Sequence, residues 1–387
     1  MELSYCTNVH PAEDLDGVIA QLDASAGPAR RAAGLDRLGV GLWLPADLAR
    51  RLTVDTEGVN RLRACLEANG LEVRTVNAFP YAAFHAEVVK HDVYLPDWTD
   101  PRRADYTLNC ARVLAELLPP DGDGSISTLP LAWRSPWTPD HDARATAELR
   151  RVSDRLRELR RRTGRTIRLA IEPEPGCVLD TVADVVDWLA PRLGTEGIDP
   201  EHIGICLDTC HLAVSFADPV ETVGLIEAAG IRIVKVQASA ALHVEDPADS
   251  ASRSAVAAFV EQRYLHQTRE LAPDGVVLAA DDLPDALEKL PAEGPWRVHF
   301  HVPLHLAPTS PLTATTDVLR AACAAVRQTS HGEEAHLDIE TYTWSVLPGG
   351  VTDLTAGISA ELRWALDELI QAPDAERAML VPKAVAT

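Results

Sequence analysis

Short apolar runs alternate with longer segments of helical periodicity from one end of the chain to the other. Nine runs read as strands: Leu3–His10, Leu38–Leu44, Val73–Phe79, Ile126–Ala132, Ile167–Glu172, Ile203–Asp208, Ile231–Gln237, Arg297–Val302 and His336–Thr341. Among the segments between them, Thr56–Ala68, Asp142–Arg162, Thr181–Leu193, Val220–Ala229, Thr315–Arg327 and Ala356–Ile370 carry apolar residues at three- and four-residue spacing, which predicts helices packed by one face. Strand and helix in alternation predict a parallel sheet covered by helices. A chain of 387 residues is long enough for one (β/α)8 TIM barrel, α/β in class, with an insertion.

Nine strands exceed the eight that close such a barrel. The stretch 239–296 is the one connection of unusual length, holding Glu245–Ser252, a short helical pattern near Ala255–Gln262 and the string DDLPDAL at 281–287. We therefore expect a single barrel over 1–372 with an insertion at about 239–311, between strand 7 and its helix. RVHFHVP would be an extra strand laid near the barrel mouth, and 373–387 a flexible tail.

Composition narrows the function. The apolar share of 46% suits a large buried core. The opening MELSYCTNVHPAEDLDG has neither a basic nor an apolar leader region, and no apolar run nears the ~20 residues of a membrane span, so a soluble cytoplasmic protein is expected. Seven cysteines stand singly, with no C-x-x-C pair, which argues against a disulfide framework and a thiolate zinc site. A formal charge of -22 disfavours nucleic acid as a partner and leaves a small-molecule metabolite. Lysine occurs only at Lys90, Lys235, Lys289 and Lys383, so a lysine inside a predicted strand is conspicuous.

The candidate chemistry sits at the ends of the late strands, in IEPEPG (Glu172, Glu174), CLDTCH (Asp208, His211), VKVQAS (Lys235, Gln237) and HLDIET (Asp338, Glu340). Period-2 alternation sets Ala170, Glu172 and Glu174 against Leu169 and Ile171, Cys206 and Asp208 against Ile205 and Leu207, Lys235 and Gln237 against Val234 and Val236, and Asp338 and Glu340 against Leu337 and Ile339. With the apolar set facing the helices, the polar set converges inside the barrel. Carboxylates sharing one low-dielectric space repel unless a proton or cation is shared. Oxygen ligands favour Mg or Mn, and imidazole admits Zn or Co, so one divalent ion is expected. A single carboxylate at a strand end is ordinarily a helix cap or surface charge, and Asp208 alone would be read as the cap of the following helix. Three strand ends together weigh against that. Lys235 should lie inside the barrel within reach of Glu172 or Asp208. In RVHFHVPLH, His299 and His301 share a face and could meet a metal or a substrate hydroxyl, or be satisfied imidazoles of an edge strand. His10 and Asn77 are plausible substrate contacts, as is Glu174.

At these motifs the sequence resembles the xylose-isomerase-like barrel superfamily of sugar isomerases, sugar epimerases and endonuclease IV. The resemblance implies metal ligands at Glu172, Asp208 and Glu340, and a D-T-x-H pattern at Asp208 and His211. The family's strand-7 histidine is Gln237 here, a carbonyl ligand that a softer metal binds less well, and His301 is the candidate to replace it. The strings YCTNVHP, NAFPY, EPEPG, LDTCH, YLHQ, WRVHFHVPLH and ETYTW are similar to one subgroup, the metabolite traffic protein EboE, which implies partners from its bacterial gene cluster and an unassigned substrate.

Three functions follow. The first is a divalent-metal-dependent sugar isomerase or epimerase on a polyhydroxylated carbonyl compound or related metabolite, with Glu172, Glu340, His211 and Lys235 catalytic, Glu172, Asp208, Gln237 and Glu340 on the metal, and His10, Asn77, Glu174, His299 and His301 on the substrate. The second is a metabolite-binding or processing component without that activity. The third, an endonuclease IV-like phosphodiesterase, fits the acidic charge least.

Overall fold

In the computed structural model, which describes residues 1–120, 122–194, 197–350 and 353–371, eight of the apolar runs form parallel strands. They are β1 (Glu2–Cys6), β2 (Leu38–Trp43), β3 (Leu71–Asn77), β4 (Gly124–Thr128), β5 (Ile167–Ile171), β6 (Ile203–Asp208) and β7 (Ile233–Ala238), with β13 (His336–Ile339) after the insertion. They close in the order β1-β13-β7-β6-β5-β4-β3-β2. Leu169, Ile171, Ile205, Leu207, Val236, Leu337 and Ile339 join the apolar core, as alternation requires. One side chain departs from it. A bulge between Ile205 and Cys206 pairs the latter with Lys235, leaving Val234 unmatched, and Val234 packs with Ala170 and Cys206 instead of with the main core.

The predicted strands overrun their C-terminal ends by two to four residues where β1, β3 and β4 are concerned. Leu3–His10 stops at Cys6 and turns through a 3-10 segment, Thr7–Val9, and Ile126–Ala132 stops at Thr128, shortly before Leu131 takes a φ of 71°. Backbone pairing ends at the barrel rim although apolar residues continue, because Val9, Leu129 and Leu131 beyond it pack into the core from irregular backbone while Phe79 lines the cavity. Local signals fix the helices more firmly. Pro139–Thr163 is capped by the Thr138 hydroxyl, begins on proline, and ends at Gly164, whose φ of 74° suits a residue without Cβ. Thr181–Leu193 is helical over Val182–Leu189, with a Thr181–Asp184 capping box, and tightens to a 3-10 turn at Pro191.

Between β7 and the helix Thr316–Arg327 the chain builds a second, antiparallel sheet of β8 (Leu242–Val244), β9 (Thr268–Leu271), β10 (Val277–Ala280), β11 (Trp296–Val298) and β12 (Thr313–Ala314), ordered β10-β9-β11-β8-β12. The expected strand Arg297–Val302 is thus mostly not strand. Only its first two residues pair in the sheet, and His299–Val302 leaves to cross the barrel mouth, tied by His299 N–H to Gln267 O (2.8 Å) and Val302 N–H to Ala240 O (3.0 Å). The expected tail 373–387 lies outside the described residues. No helix among the described residues is long and apolar enough to cross a membrane.

Candidate metal centre

Each late strand carries a buried polar side chain at its C-terminal end, and those of β5, β6 and β7 keep an atom there without a hydrogen-bond partner. Asp208 ends β6 and caps the next helix: its Oδ1 accepts from His211 N–H (2.9 Å) and the Ser239 hydroxyl (2.8 Å). The capping residue keeps its second oxygen available, because Oδ2 stays unpartnered. Glu172, just beyond β5, keeps Oε2 unpartnered, and Gln237 on β7 keeps both its amide oxygen and nitrogen so. Glu340, just beyond β13, has its Oε1 held by the amides of Asn8 and Asn77, each at 2.7 Å. Glu172, Asp208 and Glu340 offer oxygens all within 4.8 Å of one another.

Such a set cannot remain fully charged unaided. Burial, with Glu340 and Asp208 next, holds the Glu172 carboxyl well above the usual carboxylate range. Burial, with Asp208 next, pushes Glu340 up to about 8. A buried polar atom without a partner costs about 1–3 kcal/mol, so several converging here fit a ligand. Four to five oxygen donors with a net negative charge suit a divalent cation.

The histidines complete the picture. His211 Nδ1 lies 2.8 Å from Pro173 O and His301 Nδ1 lies 2.7 Å from Glu340 O. Carbonyls only accept, so these nitrogens carry the protons and each Nε2 presents a lone pair. The His301 Nε2 has no partner and stands 3.9 Å from Asp208 Oδ2; Asp208, His211 and His301 form a further set within 4.8 Å. His299 Nδ1 meets Gln267 Oε1 at 2.7 Å. That amide's orientation is set because its nitrogen faces Tyr94 Oη, Glu174 Oε1 and Pro175 O. The Nε2 atoms of His211 and His299 therefore face each other at 3.1 Å as two lone pairs, an arrangement that a shared proton or a cation relieves. Burial, followed by His211 and His301, holds the His299 imidazole well below its ordinary value.

Above these groups lies a cavity of about 510 Å³, open space at its mouth included, whose floor is Asn8, Asn77, Glu172, Glu174, His211, His299, His301 and Glu340. Its walls are Phe79, Pro80, Phe84, Val89, Lys90, Val93, Tyr94, Tyr264, Leu265 and Tyr342.

A sequence profile described as the xylose isomerase-like TIM barrel matches residues 29–295. The chain belongs to this family. No curated protein matches it. Among solved structures it is similar to a xylose isomerase domain protein from Alicyclobacillus acidocaldarius subsp. acidocaldarius (16% identity, 95% of this chain and 98% of that one, TM-score 0.45). It is also similar to a D-tagatose 3-epimerase-like protein (14%, 62% and 76%, 0.42) and to the IOLI protein with a bound zinc atom (12%, 62% and 73%, 0.39).

Two expected residues of this xylose isomerase-like barrel stand elsewhere. Lys235 is fully buried inside the barrel, but its amine pairs with Asp338 Oδ2 at 2.8 Å and reaches Ser127 Oγ at 3.4 Å. The expected partners Glu172 and Asp208 belong to the layer nearer the mouth, and Lys235 does not line the cavity. His10 turns its Nε2 to the Tyr5 hydroxyl (3.2 Å), off the cavity, where burial pushes it down to about 4. Asn77 and Glu174 do line the cavity, yet both spend hydrogen bonds on protein. Asn8, Tyr94 and Gln267 were not singled out from sequence. Asn8 is off the strands in a 3-10 turn, and Gln267 acts through Glu174 and His299, contacts that no spacing encodes.

Proposed function

We propose that this protein is a divalent-metal-dependent isomerase or epimerase moving a proton on a polyhydroxylated carbonyl compound or a related metabolite. One observation carries it: oxygens of Glu172, Asp208 and Glu340 lie within 4.8 Å of one another, and Glu172 Oε2, Asp208 Oδ2 and the nearby His301 nitrogen are unpartnered, at the floor of one cavity. Mn, Mg, Zn or Co held by Glu172, Asp208 and Glu340, with Gln237 or His301 added, would polarise adjacent carbonyl and hydroxyl oxygens and acidify the carbon between them. Glu172 and Glu340 come from strands three places apart in the ring, so they approach a bound molecule from different sides. Burial raises the proton affinity of both carboxyls, which suits each to take a proton from the substrate carbon and return it. His211, its Nδ1 anchored on Pro173 O, presents Nε2 to orient a substrate oxygen. Lys235 acts in this scheme only through Asp338, as a positioning residue.

A second reading is a metabolite-binding component of the EboE kind without turnover. Gln237 supports it, standing where the resemblance places an imidazole. The separating experiment is metal analysis after loading with Mn, Mg, Zn or Co, followed by NMR of α-proton exchange into D2O over a panel of ketoses and polyols. Exchange that disappears in Glu172→Gln and Glu340→Gln supports the enzyme. A folded protein that takes up no metal removes both the metal and the mechanism.

A further inference from the structure

The floor and the walls of the cavity differ in one respect that bears on the ligand: which hydrogen-bonding groups are still free. On the walls, polar atoms are already engaged. The Tyr94 hydroxyl donates to Glu174 Oε1 (2.6 Å) and accepts from Gln267 (3.0 Å). The Tyr264 hydroxyl donates to Phe84 O (3.2 Å). The Lys90 amine is taken up by Asp282 (2.6 Å), Tyr264 O (2.6 Å) and Glu261 O (3.4 Å). The remaining wall residues are hydrocarbon apart from Tyr342, whose ring packs on Tyr264 (4.9 Å), Phe84 (5.3 Å) and His301 (4.8 Å) and whose hydroxyl is the single exception among the wall's polar groups. On the floor the reverse holds, with Glu172 Oε2, Asn8 Oδ1 and His301 Nε2 all free.

We infer that the substrate is amphiphilic: an α-hydroxy carbonyl head that reaches the floor, carrying an aliphatic or aromatic substituent that fills the walls, rather than a free sugar. Along its whole length a sugar carries hydroxyls, and each one buried without a partner costs on the order of tenfold in affinity. An apolar substituent gains instead from ring faces and methyl groups that leave few polar atoms to desolvate. The inference rests on the proposed function for the head and on the walls alone for the tail.

Hydroxamic acids isolate the two parts, since the head that chelates a metal stays constant while the tail changes. Binding of benzohydroxamate, octanohydroxamate and the hydroxamate of a four-carbon polyhydroxy acid to the Mn-loaded full-length protein is measured by calorimetry. Both apolar probes are expected to bind at least tenfold more tightly than the polyhydroxy one. Val93→Asn, a half-buried wall position outside the metal set, is expected to narrow that ratio with metal content unchanged. Equal binding, or preference for the polyhydroxy tail, overturns the inference while leaving the metal head intact. Failure of all three to bind a protein that holds Mn overturns the inference together with the proposed head chemistry.

Discussion

Two layers of the same barrel interior carry similar residues and opposite electrostatics. In the layer below the mouth Lys235 neutralises Asp338, which also accepts from the Ser4 hydroxyl (2.6 Å), while Ser125 bonds both Thr75 and His336 at 2.8 Å. Burial, the largest influence, would lower the Lys235 proton affinity, but Asp338, together with Cys6 and Cys206, raises it on balance. One layer up, Glu172, Asp208 and Glu340 have no comparable cation, and Gln237 bonds nothing. The lower layer is closed and holds the barrel together. The upper one opens on the cavity, at the end of the (β/α)8 barrel where function resides in this fold.

Breaking the lower layer should have the largest effect. Lys235→Met leaves the Asp338 carboxylate buried without its partner, which typically costs about 3–5 kcal/mol; chemical denaturation is expected to show that loss. Lys235→Met with Asp338→Leu should recover much of it. An unchanged denaturation midpoint for the single variant would mean the pair does not hold the barrel.

Glu361 links the layers to the insertion, since its carboxylate accepts from Leu304 N–H (3.0 Å) and the Thr341 hydroxyl (2.7 Å), beside the segments bearing His301 and Glu340. Burial pushes it up to about 7 from an ordinary 4.5, against those bonds. The folded state therefore holds this proton more tightly than the unfolded one. Its contribution is complete below pH 4.5 and is lost as pH rises to about 7, by roughly 3 kcal/mol. Glu361→Gln is expected to remove that slope; parallel stability curves for the two proteins between those pH values would refute it.

Metal addition sharpens the contrast from above. At one hundred times its dissociation constant, a divalent ion bound only by the folded state adds about 2.7 kcal/mol, read as a shift in thermal midpoint. Asp208→Asn should abolish the shift, because the asparagine keeps the capping oxygen and loses the charged one. A shift of the same size in the variant would place the ion elsewhere.

The smallest expected effect has the opposite sign. Without metal, Glu340→Gln removes one of the mutually repelling carboxyls while still accepting from Asn8 and Asn77. Its stability near pH 8 should equal wild type or exceed it by on the order of 1 kcal/mol. A loss of several kcal/mol would show that the charge itself holds the upper layer.

The barrel, its strand order of polar and apolar faces, and the convergence of Glu172, Asp208, Gln237 and Glu340 were all legible by alternation. A strand in a closed sheet has just two faces, and residues two apart must share one. Helix limits were legible where a cap, a proline or a glycine marks them, as at Thr138 and Gly164. The sheet of the insertion was not, because strands of two to four residues are too short to display a period, and their partners lie up to about seventy residues away in the chain. Tertiary structure alone decided that Lys235 answers Asp338 rather than Glu172, since which layer a side chain occupies depends on barrel register and on the bulge at Val234. It alone decided that His10 turns away while Asn8 turns in, whereas the arrival of His299 and His301 at the mouth was expected from the place of the insertion after strand 7. Sequence spacing constrains neighbours along a strand; contacts across the barrel mouth are set by how separate elements pack.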